Sequence, residues 1–253
     1  WEVDSGYLMY IGCNVTWSNF FDDGTLRTFL TYGIDRQTLV DNNYAGLALP
    51  TTLAVSPMSP YYSKSLAANY DYNEMRFIDA ASKLRVPTND KGVERKLQLL
   101  VNSDDSARLR CARNIAATLT ELGLACETVE SPTSVYEARL QAANYDIYLG
   151  ITKLPTTADL SEFYRPWGEM SWGGLANETI YNMVNQSLAD RGNYYNLHKL
   201  VADDGRIIPV MAGYYAIYAK RGVLSDLNPA RDNVFYYTLG KTMESSKVAT
   251  QFS

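Results

Sequence analysis

The segment between residues 97 and 151 alternates between strand-like and helix-like patterns, and this alternation constrains the fold more than any other feature. Three short apolar runs, "LQLLVN", "LACETVE" and "YDIYLGI", are separated by two longer segments with helical spacing. The first helical segment ends at Gly123 and carries an apolar stripe made of Cys111, Ile115, Leu119 and Leu122. A β-α-β-α-β order is typical of parallel strands joined by right-handed crossovers. We therefore expect an α/β protein with a mixed, mainly parallel sheet flanked by helices and with strands near 97–102, 124–130 and 145–151.

The N-terminal part adds a strand and a helical segment that is interrupted by helix-breaking and helix-capping residues. The run "YLMYIGCNV" is apolar and aromatic, which predicts a buried strand. In "YGIDRQTLVDNNYAGLALP", Gly33 interrupts one helix, Asp35 can act as the N-cap of the next, and Gly46 ends it. The preceding helix can be capped by Asp22 and Asp23.

The rest of the chain reads as a loop, several helices and a late strand. The prolines of "ALPTTLAVSPMSPYY" predict an extended surface loop. The next segment has helical spacing at Met75, Ile78, Ala81 and Leu84. Further helices are expected around 177–190 and 193–203, followed by the strand-like run "RIIPVMAGYYAIYAKRG". From about Leu224 the sequence is irregular and polar.

Charge and composition exclude several classes of function. The net charge of the 253 residues is −5, and the 23 basic residues are scattered, so we expect no nucleic-acid partner. No apolar run approaches the ~20 residues that a membrane-spanning helix needs. The first residues lack a signal-peptide pattern and begin on a strand-like run, which suggests a segment of a longer protein.

The few histidine and cysteine residues argue against several kinds of site. His198 is the single histidine, so histidine triads and multi-histidine metal sites are not expected, and a surface or half-buried position is typical for such a residue. Cys111 lies roughly 18 Å back along its helix at ~1.5 Å per residue. Cys126 lies roughly 10 Å along the returning strand at ~3.3 Å per residue. This offset predicts that Cys111 and Cys126 are free, buried thiols.

Four segments in the same order carry a resemblance to a known family. "LRTFLTYGIDRQTLVDNNYAGLALPTT" resembles a motif of extracellular solute-binding proteins family 5, with matches at Arg27, Ile34, Asp35, Arg36, Gly46, Ala48 and Pro50. "YDYNEMRFIDAASKL", the central β-α-β-α-β unit and "LHKLVADDGRIIPV" are similar to later segments of the same family. The resemblance covers roughly residues 10–221.

The resemblance implies a cleft-closing receptor rather than an enzyme. Members of this family are oligopeptide-, dipeptide- and nickel-binding receptors of ABC transporters, with two lobes and about twice this length. It therefore implies that residues 1–221 are the second, ligand-binding lobe with the fold of a type II periplasmic binding protein, and that 222–253 return toward an absent N-terminal lobe. The expected partners are a small solute such as an oligopeptide, that lobe and a membrane permease, with no cofactor and no metal. The expected location is extracytoplasmic, either periplasmic or lipid-anchored at the surface of a Gram-positive bacterium.

The pattern of the strands predicts where a ligand would bind. Ligands of parallel α/β sheets bind at the carboxyl ends of the strands, near helix N-termini. This places Asn102 and Ser103, Ser131 to Thr133, and Thr152 and Lys153 at the candidate site. Such small polar residues are equally typical of helix caps.

The loop after the third predicted strand supplies the remaining candidates. In peptide-binding members this loop holds an aspartate that pairs with the amino terminus of the peptide. In "TKLPTTADLSEFYRPW" only Asp159 could take that role, and it is not followed by proline. Flat amphipathic surfaces suited to peptides or sugars are offered by Tyr164, Trp167 and Trp172. An aromatic core under a long loop would explain these three residues equally well.

Two alternatives to a solute receptor are open. One is a hydrolase that uses a carboxylate pair drawn from Asp146, Asp159, Glu162 and Glu169, although the sequence gives no sign that two of them converge. The other is a receptor-like module that senses a ligand for a regulatory partner domain.

Overall fold

The computed structural model describes residues 1–21, 24–218 and 231, and within these ranges the chain forms six strands and nine α-helices. The strands are β1 (Glu2–Cys13), β2 (Ala48–Pro50), β3 (Leu97–Asn102), β4 (Cys126–Ser131), β5 (Ile147–Lys153) and β6 (Ile207–Ala216). The helices are α1 (Thr25–Phe29), α2 (Arg36–Tyr44), α3 (Lys64–Ala67), α4 (Glu74–Ala81), α5 (Ser106–Glu121), α6 (Thr133–Gln141), α7 (Ser161–Tyr164), α8 (Glu178–Ala189) and α9 (Tyr194–Asp204). Asp22, Asp23 and all of the predicted return segment except residue 231 lie outside the described residues.

All six strands form one sheet in the order β2-β6-β1-β5-β3-β4. The pairs β3–β4 and β3–β5 are parallel, as the alternation predicts. The pairs β1–β5, β1–β6 and β2–β6 are antiparallel. The predicted mixed sheet is thus confirmed, but its parallel part is confined to the three strands of the alternation. The runs that form β1 and β6 were predicted as strands, but their place in the sheet was not, because they join it from distant parts of the chain and β1 runs antiparallel to both of its neighbours.

Helices cover both faces of the sheet and bury one apolar cluster on each side. The α5 face packs side chains of β1, β3 and β5 against α1, α2, α4 and α5, and its buried residues include Ile11, Leu99, Ile147, Leu26, Phe77, Cys111, Ile115 and Leu119. The α6 face packs the alternate side chains of the same strands against α6, α8 and α9, and its buried residues include Tyr10, Leu100, Tyr148, Tyr136, Val184 and Leu197. Successive residues of a strand point to opposite faces, so each strand contributes to both clusters.

Two tyrosines meet two glycines at the centre of the sheet. Tyr10 of β1 is paired with Gly150 of β5, and Gly12 is paired with Tyr148. A Cβ atom on Gly12 would lie 2.2 Å from the Tyr148 ring, and one on Gly150 would lie 2.6 Å from the Tyr10 ring. The glycines therefore provide the space in which the two rings pack edge to face, with centroids 5.7 Å apart.

The interrupted helix of the N-terminal part has a local explanation. Asp35 caps α2 as predicted, accepting hydrogen bonds from the Thr38 amide and hydroxyl. The next residue, Arg36, is buried, and its guanidinium donates to the carbonyls of Pro209 and Thr31. Asp35 thus caps α2 and the adjacent Arg36 links it to β6, so these two residues fix the start of α2.

One sequence prediction in this region, the surface loop after Gly46, is wrong for its first half. Residues 51–56 are buried rather than part of a surface loop, and Ala48–Pro50 is a strand paired with β6. The burial is possible because hydroxyls satisfy backbone carbonyls, as when Thr51 Oγ1 donates to Leu53 O at 2.9 Å. The helix predicted next is found as α4, although Met75 and Ile78 are exposed and Phe77 fills the core.

Other structural expectations concern thiols and membrane helices. The cysteines are free as predicted, with Cys13 and Cys111 buried and Cys126 half-buried. Among the described residues, no helix combines the length and apolarity that crossing a bilayer requires.

Candidate functional site

The strand ends predicted to form a site lie at one edge of the sheet, which we call the carboxyl edge. β3, β4 and β5 end here at Asn102, Ser131 and Lys153. Because β1 runs antiparallel to β5, its first half lies at the same edge, and Tyr7 is paired with Lys153. β6 ends there too, so β1 and β6 continue as a two-stranded ribbon in which Glu2 is paired with Ala216. We call the opposite edge, where β3, β4 and β5 begin, the amino edge.

Two of the predicted site residues, Asn102 and Thr133, are in contact. Asn102 Nδ2 donates to Thr133 Oγ1 at 3.0 Å. Asp104, which sequence reasoning did not include, accepts from the Thr133 amide at 2.9 Å and from its hydroxyl at 2.7 Å. The Thr133 amide, and after it the hydroxyl, hold the pKa of the Asp104 carboxyl below its ordinary value. Asp104 is the second residue after the end of β3, so its position at the edge could have been predicted from the sequence.

Ser103 and Ser131 connect the two loops mainly through their backbone. The Ser103 amide donates to the Ser131 carbonyl at 2.8 Å. Asp105 then caps α5, with Oδ1 accepting from the amides of Ala107 and Arg108. The hydrogen bonds of this part of the edge are those of loop closure and helix capping, and Asp104 and Thr133 are exposed at its surface.

Thr152 and Lys153 lie on opposite faces of the sheet. Thr152 is paired with Leu8, whose side chain belongs to the α6 face, and Lys153 is paired with Tyr7 on the α5 face. Asn102 shares the α6 face with its neighbour two residues back, Leu100. The sheet therefore separates Lys153 from the Asn102–Thr133 pair.

Asp159 is half-buried in the loop that follows β5. Its Oδ1 accepts from the Ser161 amide at 2.8 Å and from the Ser161 hydroxyl at 2.5 Å, which fixes the start of α7. Tyr194 is close by: burial raises the pKa of its phenol, with a smaller contribution from the Asp159 charge. The carboxyl group thus already has a structural role in this loop.

The three predicted aromatic residues do not form one surface. Tyr164 is fully buried in the α6-face cluster, so it belongs to the core and offers no face to a ligand. Trp172 starts a short 3-10 turn, Trp172–Gly174, whose Gly173 carbonyl accepts from the Val15 amide just after β1 ends, so Trp172 lies at the amino edge. Trp167 is 96% exposed. The alternative of an aromatic core under the loop is correct for Tyr164.

A further contact at the carboxyl edge was missed by sequence reasoning. Arg231 forms an ion pair with Asp4 of β1 and donates from Nη1 to the Leu154 carbonyl at 2.6 Å. Both side chains of the pair are largely buried. No pattern around Arg231 in the sequence points to this contact, because its partner lies at the other end of the chain.

Of the acidic residues considered for hydrolysis, Glu162 and Glu169 are neighbours, since Glu162 Oε2 accepts from the Glu169 amide at 2.9 Å, whereas Asp146 and Asp159 lie apart. Asp146 precedes β5 at the amino edge, whereas Asp159 follows β5 at the carboxyl edge. Glu162 is engaged by Arg165. Among the described residues, no group of three or more His, Cys, Asp or Glu side chains could hold a metal ion.

His198 is more buried than the sequence suggests. It lies in α9 with 1% exposure, and neither ring nitrogen has a hydrogen-bond partner. Burial lowers the pKa of its imidazole to about 4. The side chain stacks on Tyr194 with ring centroids 5.8 Å apart. His198 is therefore a neutral core residue at neutral pH.

Comparison with known proteins places this geometry in a family. Residues 1–174 match the family model described as "Bacterial extracellular solute-binding proteins, family 5 Middle". No curated protein sequence matches the chain. This family consists of solute-binding proteins rather than enzymes.

Solved structures share the fold at low sequence identity. One is the oligopeptide-binding protein AppA from Bacillus subtilis in complex with a nonapeptide, with 17% identity, a TM-score of 0.73 and coverage of 94% of this chain and 50% of that one. The ABC transporter substrate binding protein CtaP from Listeria monocytogenes has 15% identity, a TM-score of 0.71 and coverage of 85% and 45%. NikA from Brucella suis in complex with Fe(III)-EDTA has 13% identity, a TM-score of 0.70 and coverage of 92% and 51%. The chain thus spans about half the length of these structures, and the predicted fold of a type II periplasmic binding protein is confirmed.

Proposed function

Because the chain belongs to the bacterial extracellular solute-binding proteins of family 5, we propose that it is one lobe of a two-lobe receptor that captures a small solute for an ABC importer. The solute is a peptide or another small polar molecule, enclosed between this lobe and a second one. The proposal includes no catalytic step, no metal and no cofactor.

The ribbon at the carboxyl edge is the observation that carries this proposal. β1 and β6 extend past the last residue of β5 and remain paired as far as Glu2 and Ala216. Two adjacent antiparallel strands that leave a sheet together are suited to connect it to a second body. The coverage of about half of each matched structure supports the same arrangement.

The contacts of this lobe with the solute are proposed to lie around the ribbon. Asn102, Ser103, Thr133, Thr152, Lys153 and Asp159 surround this edge on both faces, and Trp167 adds an exposed ring in the segment after α7. Backbone amides at the helix starts suit polar or anionic groups of a solute. Tyr164 and Trp172 are not part of the proposed contact surface, since one is buried and the other lies at the amino edge.

The cellular setting follows from the same proposal. A receptor of an importer delivers its solute to a membrane permease from the extracytoplasmic side, either in the periplasm or from a lipid anchor on the cell surface. Both the permease and the anchor are proposed for this chain by analogy with the role of its family.

Calorimetry on two proteins tests the two-lobe proposal. A receptor gains affinity by enclosing its solute, so one lobe alone loses roughly half of the contacts and most of the desolvation. We expect this chain to bind members of a panel of short peptides, metal chelates and sugars at best in the millimolar range. The same panel should include a micromolar ligand of the longer two-lobe protein, a difference of about 4 kcal/mol.

Two results would contradict the proposal in different ways. A micromolar site on the isolated chain would mean that the site is complete without a second lobe. A two-lobe protein that binds no solute, and carries none when it is purified from its host and weighed by native mass spectrometry, would mean that the chain is not part of a receptor.

A further inference from the structure

An apolar pocket opens on the α5 face of the carboxyl edge. Its volume is about 190 Å³, and its lining includes Tyr7, Met9, Tyr44, Leu47, Ile151 and Met211. The strands β1, β5 and β6 form the floor, while Tyr44 at the end of α2 and Leu47 beyond it form one wall. Polar groups are scarce in this lining, in contrast to the Asn102–Thr133 pair on the other face.

An irregularity in the ribbon shapes the pocket. Asp4 is paired with Tyr214, and the next pair is Leu8 with Ala212, so three residues of β1 face Gly213 alone. Two of these three, Ser5 and Tyr7, line the pocket. A Cβ atom on residue 213 would lie 2.7 Å from Ser5 Oγ, so glycine allows the two strands to approach here. Bulges of this kind re-aim side chains and are common beside binding sites.

The rim of the pocket is apolar although it is open to solvent. Tyr7, Leu47 and Ile151 are 44%, 52% and 39% exposed. Adjacent exposed apolar side chains around a concave surface are typical of a site that is covered when it works. Because these residues lie at the edge where the solute is proposed to bind, we expect the solute to cover them.

Size and charge identify the occupant. A cavity of about 150 Å³ with apolar walls accommodates a benzene ring, so a pocket of 190 Å³ has room for one aromatic or branched aliphatic side chain. Lys153 is exposed, is paired with Tyr7 and shares a face with Ile151, so a cationic group stands beside the pocket. A solute that complements this pocket and Lys153 has an apolar side chain next to a carboxylate.

We infer that this pocket selects solutes that carry an aromatic or branched aliphatic side chain next to a carboxylate, as the last residue of a short peptide does. This inference rests on the proposed function, because it names the solute class of the same edge. It adds that recognition is divided by the sheet: the apolar side chain and its carboxylate are bound on the α5 face, and the polar contacts of Asn102 and Thr133 lie on the α6 face.

Methionine methyl NMR on this chain tests the pocket directly. The probes are Gly-Gly-Leu, Gly-Gly-Ala and the amide of Gly-Gly-Leu, titrated into the chain labelled with ¹³C at the methionine methyl groups. The Met9 and Met211 signals should shift with Gly-Gly-Leu, whereas Met75, exposed on α4, should serve as an unshifted reference. We expect Gly-Gly-Ala to bind at least about tenfold more weakly, because it leaves three carbon atoms fewer in the pocket. We expect the amide to bind up to about fivefold more weakly, because it loses the attraction to Lys153.

Matched variants separate the pocket from general effects of charge. Leu47→Asp places a carboxylate on the exposed rim and should abolish the preference for leucine over alanine. Val93→Asp is the control, since Val93 is 58% exposed and lies outside the pocket lining. Lys153→Gln should abolish the difference between the acid and the amide while the preference for leucine persists.

The outcomes distinguish failure of the pocket from failure of the receptor proposal. If both peptides bind equally, or shift only backbone amide signals around Asn102 and Thr133, the pocket is overturned and the receptor proposal stands. If neither peptide shifts any signal, the pocket is overturned, and the two-lobe calorimetry then decides whether the receptor proposal falls as well.

Discussion

The two edges of the sheet use similar polar residues in opposite ways. At the amino edge, Asp146 is 2% exposed and accepts from Ser18 Oγ at 2.6 Å, from the Gln98 amide at 2.9 Å and from Arg95 at 3.2 Å. At the carboxyl edge, the acidic residues Asp104 and Asp105 bind neighbouring loop and helix amides near the surface. The buried hydrogen bonds at the amino edge stabilise the fold. The exposed residues at the carboxyl edge leave its surface accessible to a ligand or a second lobe.

The amino edge also joins parts of the chain that are far apart in sequence. Asn14 is fully buried, and its Nδ2 donates to the carbonyls of Ala143 at 2.7 Å and Tyr145 at 2.8 Å. Arg206 donates to Gly174 and Ala176. These cross-links close the edge around Trp172, and for this reason Trp172 is left out of the proposed contact surface.

The largest effect should come from removing the carboxylate at the amino edge. Asp146→Ala leaves the Gln98 amide, the Ser18 hydroxyl and the partly buried Arg95 guanidinium without their shared acceptor. We expect the free energy of unfolding to fall by about 3 kcal/mol, since unpaired buried groups keep their full desolvation cost. Urea denaturation followed by circular dichroism measures this change. A loss below about 1 kcal/mol would contradict the contrast between the edges.

An intermediate effect is expected from the histidine that lies between the edges. α9 begins at Tyr194, which donates to the Thr157 carbonyl near the carboxyl edge. It is followed by Gly205, whose carbonyl accepts from Cys13 Sγ at the amino edge. Burial lowers the pKa of His198 from 6.5 to about 4, so the unfolded chain binds this proton at a higher pH than the folded chain. Stability is therefore lost as the pH falls below the unfolded pKa, by about 2 kcal/mol between about pH 7 and about pH 5.

The variant His198→Leu isolates this contribution. Other groups titrate equally in the two proteins, so the difference between their unfolding free energies should change by about 2 kcal/mol over that pH range. Denaturation curves at a series of pH values provide the measurement. Parallel pH profiles for the two proteins would show that burial does not lower the pKa of His198.

The smallest effect is expected at the carboxyl edge. Asp105→Ala removes the cap of α5, whose amides at Ala107 and Arg108 can then turn to water. Loss of an N-cap aspartate costs about 1 kcal/mol. The same urea titration provides the comparison with Asp146→Ala. A loss as large as that of the buried carboxylate would mean that the two edges contribute alike to stability.

Local patterns predicted the parts of the fold that are held by local interactions. The strands β3, β4 and β5 and the helices between them are found within two or three residues of the predicted bounds. Capping at Asp35 is also confirmed, because the cap and its partner Thr38 are three residues apart. Antiparallel pairing of β1 with β5 and β6 was not predicted, since strand direction across such distances leaves no periodic signal.

Errors arose where tertiary contacts override local preference. Thr51 and Thr52 bury an irregular segment by donating to carbonyls of residues up to Ala67, which proline content cannot reveal. Met75 and Ile78 have helical spacing, but the adjacent Phe77 takes the core position against Phe29.

For the candidate site, the sequence predicted the location at the carboxyl edge better than it predicted which residues lie there. Asn102 and Thr133 follow directly from the rule that strand ends gather at one edge, and they are in contact. The roles of these residues toward a solute remain predictions. Burial of Tyr164 and the distant position of Trp172 depend on how α7 and the following loop pack, and composition alone does not encode that. The apolar pocket depends on a bulge and on α2, which are far apart in the chain.

The position of β1 in the middle of the sheet has a consequence for how the chain is assembled. β1 comprises residues 2–13, but its two neighbours are formed by residues 147–153 and 207–216. During synthesis the first strand leaves the ribosome long before either neighbour exists, whereas β3, β4 and β5 and their helices can associate as they emerge. Pairing β1 with β5 and β6 closes two long loops, which gives the sheet a high contact order and makes folding slow. Until β6 is made, the apolar strand β1 has an unpaired side, so the risk of aggregation is highest in this interval.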